Sequence, residues 1–298
     1  MRRQNDPELP VLRSTFLAAA LLLSAAAPAR AQTGVDTPPA AAPAGDFNRE
    51  TITVGAGGAF LNDYEGSDDY RWTLAPGALG TISGFNFTLA GNRFSVDLIP
   101  DAPGPGLDIQ AGPIGVVNFN RSDNGSIEDR RIRALGEVDT AIEIGGFIGI
   151  GKTGVITSDY DRLSVSLSYR HDLSDAHDSG IWQPTVNYAT PLSTKSAVGL
   201  FLSAERAGGG YSDAYFSVSP AQSVASGLPV YDADGGWKNY TVGAVGTYSL
   251  TGDLLQGFKV VGGGTYRRML NDFGDSPVTS VAGDRDQWLG FIGLAYTF

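Results

Sequence analysis

The chain has 298 residues, and its 32 acidic and 21 basic side chains give a formal net charge of −11. It contains no cysteine, which excludes disulfides, thiol nucleophiles and cysteine-based metal sites. The acidic balance argues against nucleic acid as a partner. A mean hydropathy of −0.06 excludes a helical membrane protein, but it is compatible with a β-barrel because barrel strands alternate between apolar and polar residues.

The N-terminus has the pattern of a secretory signal peptide. Arg2, Arg3 and Arg13 precede an apolar run over residues 16–27, and Ala29-Arg30-Ala31 follows as an A-x-A cleavage site. The apolar run is too short to span a bilayer as a helix. We therefore predict that residues 1–31 are a cleaved signal peptide; the alternative is a buried N-terminal helix.

The next segment, residues 32–48, is rich in alanine and proline and contains the run Pro38-Pro39-Ala40-Ala41-Ala42-Pro43. Such low-complexity sequence is typical of an extended tether. We predict an unstructured periplasmic leader here, with a docking segment as the alternative. The folded domain is then predicted to occupy residues 49–298.

From residue 49 onward, apolar side chains recur at every second position. In the first such segment Ile52, Val54, Ala56 and Phe60 share one face. A period of two predicts β-strands that have one face in an apolar medium. Further strands are predicted near residues 72–82, 107–120, 137–151, 161–173, 181–190, 196–207, 237–250, 258–270 and 286–298.

One change of parity affects the strand count. Phe87 and Leu89 occupy odd positions, whereas Phe94 and Val96 occupy even ones, and the change falls at Gly91-Asn92. The stretch is either two short strands joined by a tight turn or one bulged strand. An even number of strands places both termini in the periplasm. We therefore predict an all-β fold, a transmembrane antiparallel up-and-down β-barrel of about twelve strands, with ten as the alternative count.

The chain ends on an aromatic strand. Leu294, Tyr296 and Phe298 share the outward parity of this last segment. A free C-terminal strand of this kind would be an aggregation hazard in water. It fits a strand that closes an outer-membrane barrel and places Tyr296 and Phe298 in the interfacial aromatic girdle. These three residues are the predicted barrel-closing signal.

The connections alternate in length, as they do in barrels with long outer loops and short periplasmic turns. Counted back from the C-terminus, residues 271–285 are long, 251–257 short, 208–236 very long and 191–195 short. The longest loop is expected to fold over the barrel mouth as an ordered lid, since aromatic residues at this density should pack; the alternative is a mobile loop. Its packing residues would be Tyr211, Tyr215, Phe216 and Tyr231, with Asp213, Asp232 and Asp234 at the rim.

Positions predicted to face the barrel lumen carry charges of both signs. The hypothetical lumen charge ladder consists of Arg162, Arg170, Lys259, Arg267, Glu143 and Glu205. Buried charges are rarely left unpaired, so these residues form either a plug of salt bridges or the lining of a narrow water-filled pore. The modest bore of twelve strands favours the plug.

The residue types needed for catalysis are sparse. His171 and His177 are the only histidines; parity places His171 toward lipid and His177 falls in a loop, so both are interpreted as rim residues rather than parts of a hydrolase site. The acidic residues Asp63, Glu65, Asp68 and Asp69 match no calcium-loop spacing, and a solvated turn is favoured over a Ca²⁺ or Mg²⁺ site. No catalytic, cofactor-binding or metal-ligating residue is predicted.

Four stretches carry motifs of a known family. Y-x-G-S-D-x-Y-R covers residues 64–71, D-x-Y-F-x-V covers 213–218, S-G-L-P-x-Y covers 226–231, and the chain ends in G-L-A-Y-T-F at 293–298. Together they resemble the MipA/OmpV family (MltA-interacting protein) of outer-membrane proteins, over residues 50–298. No catalytic residues are attached to that family, so none are carried over.

The resemblance implies a function. It suggests a non-enzymatic outer-membrane barrel of a Gram-negative bacterium that scaffolds peptidoglycan biosynthesis, with a lytic transglycosylase and a peptidoglycan synthase as partners. Outer-membrane lipid and the barrel-assembly machinery would be further partners of any such barrel. The alternatives are a narrow porin-like channel for small solutes and, third, an outer-membrane hydrolase. No cofactor is expected.

Overall fold

The structure is a computed structural model that describes residues 50–100 and 106–298. The signal peptide predicted at 1–31 and the leader predicted at 32–48 lie outside the described residues, so both stay predictions. In the described ranges strands dominate, and short helices occupy the connections between them.

Twelve antiparallel strands form a closed barrel. In chain order they are β1 (Ile52–Asn62), β2 (Tyr70–Ile82), β3 (Phe85–Ala90), β4 (Arg93–Asp97), β5 (Leu107–Asn118), β6 (Ala141–Thr153), β7 (Arg162–Asp172), β8 (Gly180–Pro191), β9 (Ser196–Ala207), β10 (Gly236–Ser249), β11 (Gly257–Met269) and β12 (Asp286–Thr297). Each strand pairs with its neighbours in sequence, and β1 also pairs with β12. The predicted up-and-down barrel of twelve strands is confirmed.

The last strand closes the barrel. β12 pairs with β11 on one side and with β1 on the other, where Thr297 stands opposite Thr53. The Phe298 N–H donates to the Ile52 carbonyl at 2.9 Å, so the ladder continues to the last residue. Closure satisfies the backbone groups that an edge strand would leave open, which a lipid environment requires. We call the end of the barrel that carries Ile52 and Phe298 the termini end.

The outer surface of the barrel is apolar. Trp72 on β2, Ile148 on β6 and Trp288 on β12 all point outward and are 67 %, 64 % and 60 % exposed. An outward apolar band of this extent is stable when lipid, not water, surrounds it. The outward faces therefore follow the alternation that the sequence predicts.

The hairpin of β3 and β4 confirms the predicted turn at Gly91-Asn92. The two strands have six and five residues, and Gly91 adopts a left-handed φ of 57° that favours glycine. This turn faces away from the termini end, yet it is only two residues long, so the predicted alternation of loop lengths is wrong at this hairpin. Because the hairpin is short, β3 pairs with β2 only between Gly77 and Ile82.

In the part of the chain that the structure describes, five short α-helices and one 3-10 turn (Asn124–Ser126) lie in the connections. The α-helices are α1 (Arg130–Arg133), α2 (Gly209–Phe216), α3 (Pro220–Ser226), α4 (Asn271–Asp275) and α5 (Pro277–Ser280). Helix α3 begins with a capping box between Ser219 and Gln222 and ends at Gly227, whose φ is 78°. None of the helices in residues 50–100 and 106–298 is long and apolar enough to cross a bilayer.

A cluster of buried hydrophobic residues lies at the end of the barrel opposite the termini. Loops 63–69, 119–140, 208–235 and 270–285 meet there, and we call their packed assembly the cap and this end the cap end. Its buried members are Tyr64, Ile127, Ile132, Leu135, Ile181, Ala207, Tyr211, Tyr215, Phe216, Val218, Leu228, Ala233, Met269, Phe273, Val278 and Ala282. The cap covers the mouth of the barrel and rests on the charged residues beneath it.

Candidate functional site

A group of buried charges lies in the lumen directly below the cap. Its centre is Arg170 on β7, whose Nε donates to Glu143 Oε2 at 2.5 Å and whose Nη2 donates to Glu205 Oε1 at 2.8 Å. All three side chains are almost completely buried. Gly145 stands directly opposite Arg170 on β6, and a Cβ there would lie 2.7 Å from the Arg170 Cα. The glycine therefore allows the close strand approach at this point.

Lys238 joins the same group from the start of β10. Its Nζ lies 2.9 Å from Glu65 Oε1 and 2.8 Å from Glu205 Oε2, and it sits 4.4 Å above the centre of the Tyr211 ring. Lys238 has an even number, and strict alternation would turn it toward lipid. A register shift between Trp237 and Asn239 turns it inward instead.

Glu65 links the cap to the barrel wall. It descends from loop 63–69 and accepts hydrogen bonds from the Tyr211 hydroxyl at 2.7 Å and from Arg267 Nη1 at 3.4 Å. Together with Lys238, these contacts join one outer loop, the longest loop and two strands. Sequence reasoning missed both Glu65 and Lys238 as lumen charges, since one lies in a loop and the other at a bulge.

His177 is also buried, at 5 % exposure, and its Nε2 lies 3.2 Å from Glu143 Oε1. Its ring packs edge-on against Tyr211, with the centroids 5.0 Å apart. His177 lies in the loop between β7 and β8, as predicted, but its side chain is buried and does not lie at an exposed rim. His171 is half-buried on the outward parity of β7, as predicted, and its Nδ1 lies 2.8 Å from the Asp172 carbonyl oxygen.

The acidic turn is not solvated throughout. Asp63 is buried and accepts a hydrogen bond from the Glu128 N–H at 2.8 Å, and burial raises the pKa of its carboxyl group. Of its four acidic residues, Asp68 is exposed, Asp69 is partly exposed, and Asp63 and Glu65 are buried, so the predicted solvated turn is wrong for Asp63 and Glu65. Within residues 50–100 and 106–298, no group of three or more acidic or histidine side chains is arranged to hold a metal ion.

The predicted ladder residues occupy two ends of the lumen. Arg170, Glu143 and Glu205 meet directly, and Arg267 joins them through Glu65. Arg162 lies nearer the termini end, where it pairs with Asp108. Lys259 also lies at that end and donates to the Thr297 hydroxyl at 2.5 Å and to the Leu254 carbonyl. The structure therefore separates these two cations from Glu143 and Glu205.

The longest loop is ordered and contributes the centre of the cap. Tyr211, Tyr215 and Phe216 are buried, while Asp213, Asp232 and Asp234 are exposed. Arg121 from loop 119–140 donates to the Tyr215 carbonyl at 3.1 Å, and burial lowers the pKa of its guanidinium to about 10. Burial raises the pKa of both Tyr211 and Tyr215 above the ordinary range. The lid predicted from the aromatic content is confirmed.

Truncation of one buried side chain should destabilise the cap. Phe216 is fully buried and packs edge-on against Phe273 at 5.1 Å, so Phe216→Ala is expected to destabilise the cap by about 3–5 kcal/mol. The measurement is chymotrypsin cleavage of intact cells near Tyr215 and Tyr231. Val224→Ala, in the same loop at a side chain that is 89 % exposed, is the control and should leave the protein resistant. Rapid cleavage of the unaltered protein would contradict a packed cap.

The space left between the cap and the charges is small. A cavity of about 40 Å³ lies among Tyr64, Glu65, Asn118 and Arg170. This is room for a few water molecules and not for a solute. Chemically, the arrangement holds charges of both signs in fixed positions and excludes most water from the cap end of the lumen.

The comparisons with known proteins fit this architecture. A family model described as MltA-interacting protein MipA matches residues 54–298. The chain belongs to this family. Together with the closed barrel and its apolar outer band, the match identifies an outer-membrane barrel protein. A search of the curated proteins finds no match.

Solved structures of other barrels are similar to this MipA-family chain at low identity. An outer membrane channel from Pseudomonas putida F1 has a TM-score of 0.45 and 12% identity, over 88% of this chain and 100% of that one. The toluene transporter TodX of Pseudomonas putida has a TM-score of 0.34 and 10% identity, over 86% and 91%. OmpT of Vibrio cholerae has a TM-score of 0.36 and 10% identity, over 84% and 97%.

Proposed function

We propose that this protein is a sealed, non-enzymatic barrel that serves as an outer-membrane scaffold for peptidoglycan-remodelling enzymes. The observation that carries the proposal is the closure of the lumen at the cap end. The packed cap and the ion pairs of Arg170 and Lys238 fill the cross-section there. A barrel with a closed lumen can offer its surface to protein partners, but it does not conduct ions or solutes.

The geometry also argues against hydrolysis. In the part of the chain that the structure describes, no serine hydroxyl is hydrogen-bonded to the ring of His171 or His177. A serine hydrolase needs such a contact, because the imidazole must take the proton of the nucleophile. The His177 ring instead contacts Glu143 and the tyrosines of the cap, where it has a packing role.

The scaffold role rests on the family. Its description names an interaction with MltA, and the partners that the resemblance implies are a lytic transglycosylase and a peptidoglycan synthase. In bacterial barrels the short turns and both termini face the periplasm, so a cell-wall enzyme would meet the termini end. There the turn 154–161 is held by Asp161, which accepts from the N–H groups of Val155 and Ile156 at 2.6 and 2.9 Å. Ile156 and Tyr160 are exposed on this ordered turn.

The channel alternative is tested by conductance. Purified protein in planar bilayers is expected to show no stable ion-conducting steps, since Arg170 and its partners occupy the lumen beneath the cap. The protein is compared with a variant in which a short glycine-serine linker replaces residues 208–235. Uniform conductance steps from the unaltered protein would remove the sealed barrel and favour the porin-like channel.

The scaffold itself is tested by co-purification. The protein is cross-linked in cells and extracted in detergent, and the captured cell-wall enzymes are identified by mass spectrometry. The double variant Ile156→Ser and Tyr160→Ser should reduce capture at least tenfold with unchanged barrel folding. Leu192→Ser, at an exposed residue of the neighbouring turn, is the matched control. If a lytic transglycosylase were recovered equally with the unaltered protein, the double variant and the Leu192→Ser control, turn 154–161 would not be part of the interface. If no sample contained a lytic transglycosylase, the scaffold proposal would be wrong.

A further inference from the structure

The termini half of the lumen contains an apolar cavity of about 190 Å³. One side of it is a wall of small residues from β1, β2 and β3, including Gly55, Gly57 and Gly77, and the other side carries Val261 and Phe291. The cap and the ion pairs of Arg170 and Lys238 occupy the other end of the lumen. An apolar cavity of roughly 150 Å³ is already large enough to bind benzene in a protein interior.

The cavity follows from how closely the strands approach. A Cβ at Gly57 would lie 2.2 Å from the Ile292 carbonyl oxygen, so this position of β1 cannot carry a larger residue without moving β12. Glycine at these positions leaves the inward side chains of the nearby strands β11 and β12 with less to pack against. Val261 and Phe291 accordingly stay half-exposed although they point into the barrel. The space between them is lined by carbon.

A buried ammonium group stands at the rim of this cavity. Lys259 is directly opposite Ala295 and two residues before Val261, and both of these line the cavity. It is 4 % exposed, and its Nζ donates to the Leu254 carbonyl and to the Thr297 hydroxyl at 2.5 Å. These two acceptors are neutral and use two of its three N–H donors.

Lys259 differs in this respect from the buried cations below the cap. Arg170 and Lys238 each contact two carboxylates. The charge of Asp253, on the adjoining turn, acts on Lys259, but over residues 50–100 and 106–298 the hydrogen bonds of its Nζ go to neutral oxygens and no carboxylate lies within ion-pair distance. Buried charges are normally paired, because desolvation without a counter-ion is unfavourable. A cation with neutral partners beside an apolar cavity is complementary to an anion that carries a hydrocarbon chain.

We propose that the termini half of the lumen is a binding site for a single-chain anionic amphiphile. The anionic head contacts the free donor of Lys259, and the alkyl chain enters the cavity between Gly77 and Phe291. The shared chemistry of the ligand is one negative head on one alkyl chain, which a free fatty acid and a lysophospholipid both provide. Because the cap seals the other end, the site holds its ligand and does not pass it through the barrel.

The contact of the head with Lys259 and the burial of the alkyl chain in the cavity should contribute separately to binding affinity. Each methylene that moves from water into the cavity should raise affinity about fourfold, until the chain outgrows the space. A hydrogen bond between ionised partners should add about tenfold or more over a neutral head of the same chain. Affinity should therefore depend on chain length and head charge independently.

Native mass spectrometry of the full mature protein in a non-ionic detergent tests the proposal. Decanoate, 1-decanol and decyltrimethylammonium share a chain and differ in head charge, and lyso-phosphatidylglycerol supplies the phosphate-headed source. One bound decanoate per barrel is expected, with at least tenfold preference over decanol and no retained decyltrimethylammonium. The relative affinity of decanoate and lyso-phosphatidylglycerol identifies the source. The proposal would be overturned if the protein retained the three decyl compounds equally, or if it retained none of them.

Variants separate the head from the chain. Lys259→Met keeps the length of the side chain and should abolish the preference for decanoate over decanol. Gly77→Phe fills the cavity and should abolish binding of both, because a Cβ at Gly77 meets only the Leu89 carbonyl oxygen, at 3.7 Å, and is tolerated. Val261→Phe fills the same cavity from β11. Gly290→Leu is the matched control, since its side chain points to lipid and a Cβ there meets nothing within 4 Å.

The fold of each variant is checked by its heat-modifiable migration. If folded Gly77→Phe and Val261→Phe both retained decanoate as well as Gly290→Leu, the ligand would lie outside the cavity and the site would be wrong. If Lys259→Met lowered thermal stability but kept the preference for decanoate, Lys259 would serve only to anchor the turn at Leu254, and the proposed head contact would be wrong.

Discussion

Replacing Arg170 with methionine is expected to lower the free energy of unfolding of the barrel by about 3–5 kcal/mol. The side chain is almost completely buried and contacts Glu143 and Glu205 at 2.5 and 2.8 Å. Methionine preserves much of its packing volume and leaves two carboxylates without their shared cation. Urea titration of refolded protein, followed by heat-modifiable migration, measures the change. Arg206→Met is the control, because Arg206 lies on β9, points outward and is exposed.

The partners of Arg170 should not respond equally. Glu205 retains the ammonium group of Lys238 at 2.8 Å, whereas the partners left to Glu143 among the described residues are His177 and the amide of Asn118. Adding Glu143→Gln to Arg170→Met should therefore recover more stability than adding Glu205→Gln. If Arg170→Met were no less stable than Arg206→Met, the ion pairs would contribute nothing and the plug would fail as an explanation for these charges.

Deleting Phe298 is expected to reduce folded protein in the outer membrane by at least tenfold. The Phe298 N–H makes the last hydrogen bond of the closing ladder, to the Ile52 carbonyl, and its ring packs against Tyr296 at 4.8 Å. Aromatic side chains at this position also anchor the barrel at the membrane interface. Heat-modifiable protein in isolated outer membranes is the measurement, and Tyr296→Ser with Phe298→Ser should behave like the deletion.

Two controls separate the terminal signal from general loss of an aromatic residue. Phe298→Tyr keeps the ring and the ladder and should assemble normally. Trp288→Ser removes an exposed aromatic from the opposite end of the same strand and should reduce assembly much less. Wild-type levels of folded protein from the truncated chain would contradict the role of the closing strand.

Local pattern was sufficient to predict the wall of the barrel. Side chains in a strand alternate with a period of exactly two, so Leu163 and Arg162 fall on opposite faces whatever else the chain does. The same rule located the turn at Gly91-Asn92 from one change of parity. It failed at Lys238, because a bulge between Trp237 and Asn239 shifts the register by one residue inside a single strand.

The candidate sites depended on non-local contacts. Glu65 meets Lys238 across 173 positions of the chain, and the Tyr64 hydroxyl donates to the Ala282 carbonyl across 218. Loops of a barrel become neighbours only when the last strand pairs with the first. No local pattern can therefore show which loop supplies the counter-charge for which strand. For that reason the burial of His177 was not predicted, and Asp63 was placed in a solvated turn.

By itself, the sequence determined the fold class, the inward parity of Arg170, Lys259 and Glu205, and the packing tendency of the longest loop. Each of these depends on side-chain type and on a period of two along one segment. Tertiary structure decided how far along the lumen each inward charge lies. This position along the barrel axis depends on strand register and shear, and the alternation of side chains within one strand determines neither. Arg170 therefore meets two carboxylates beneath the cap, while Lys259 lies beside an apolar cavity and donates hydrogen bonds to two neutral oxygens.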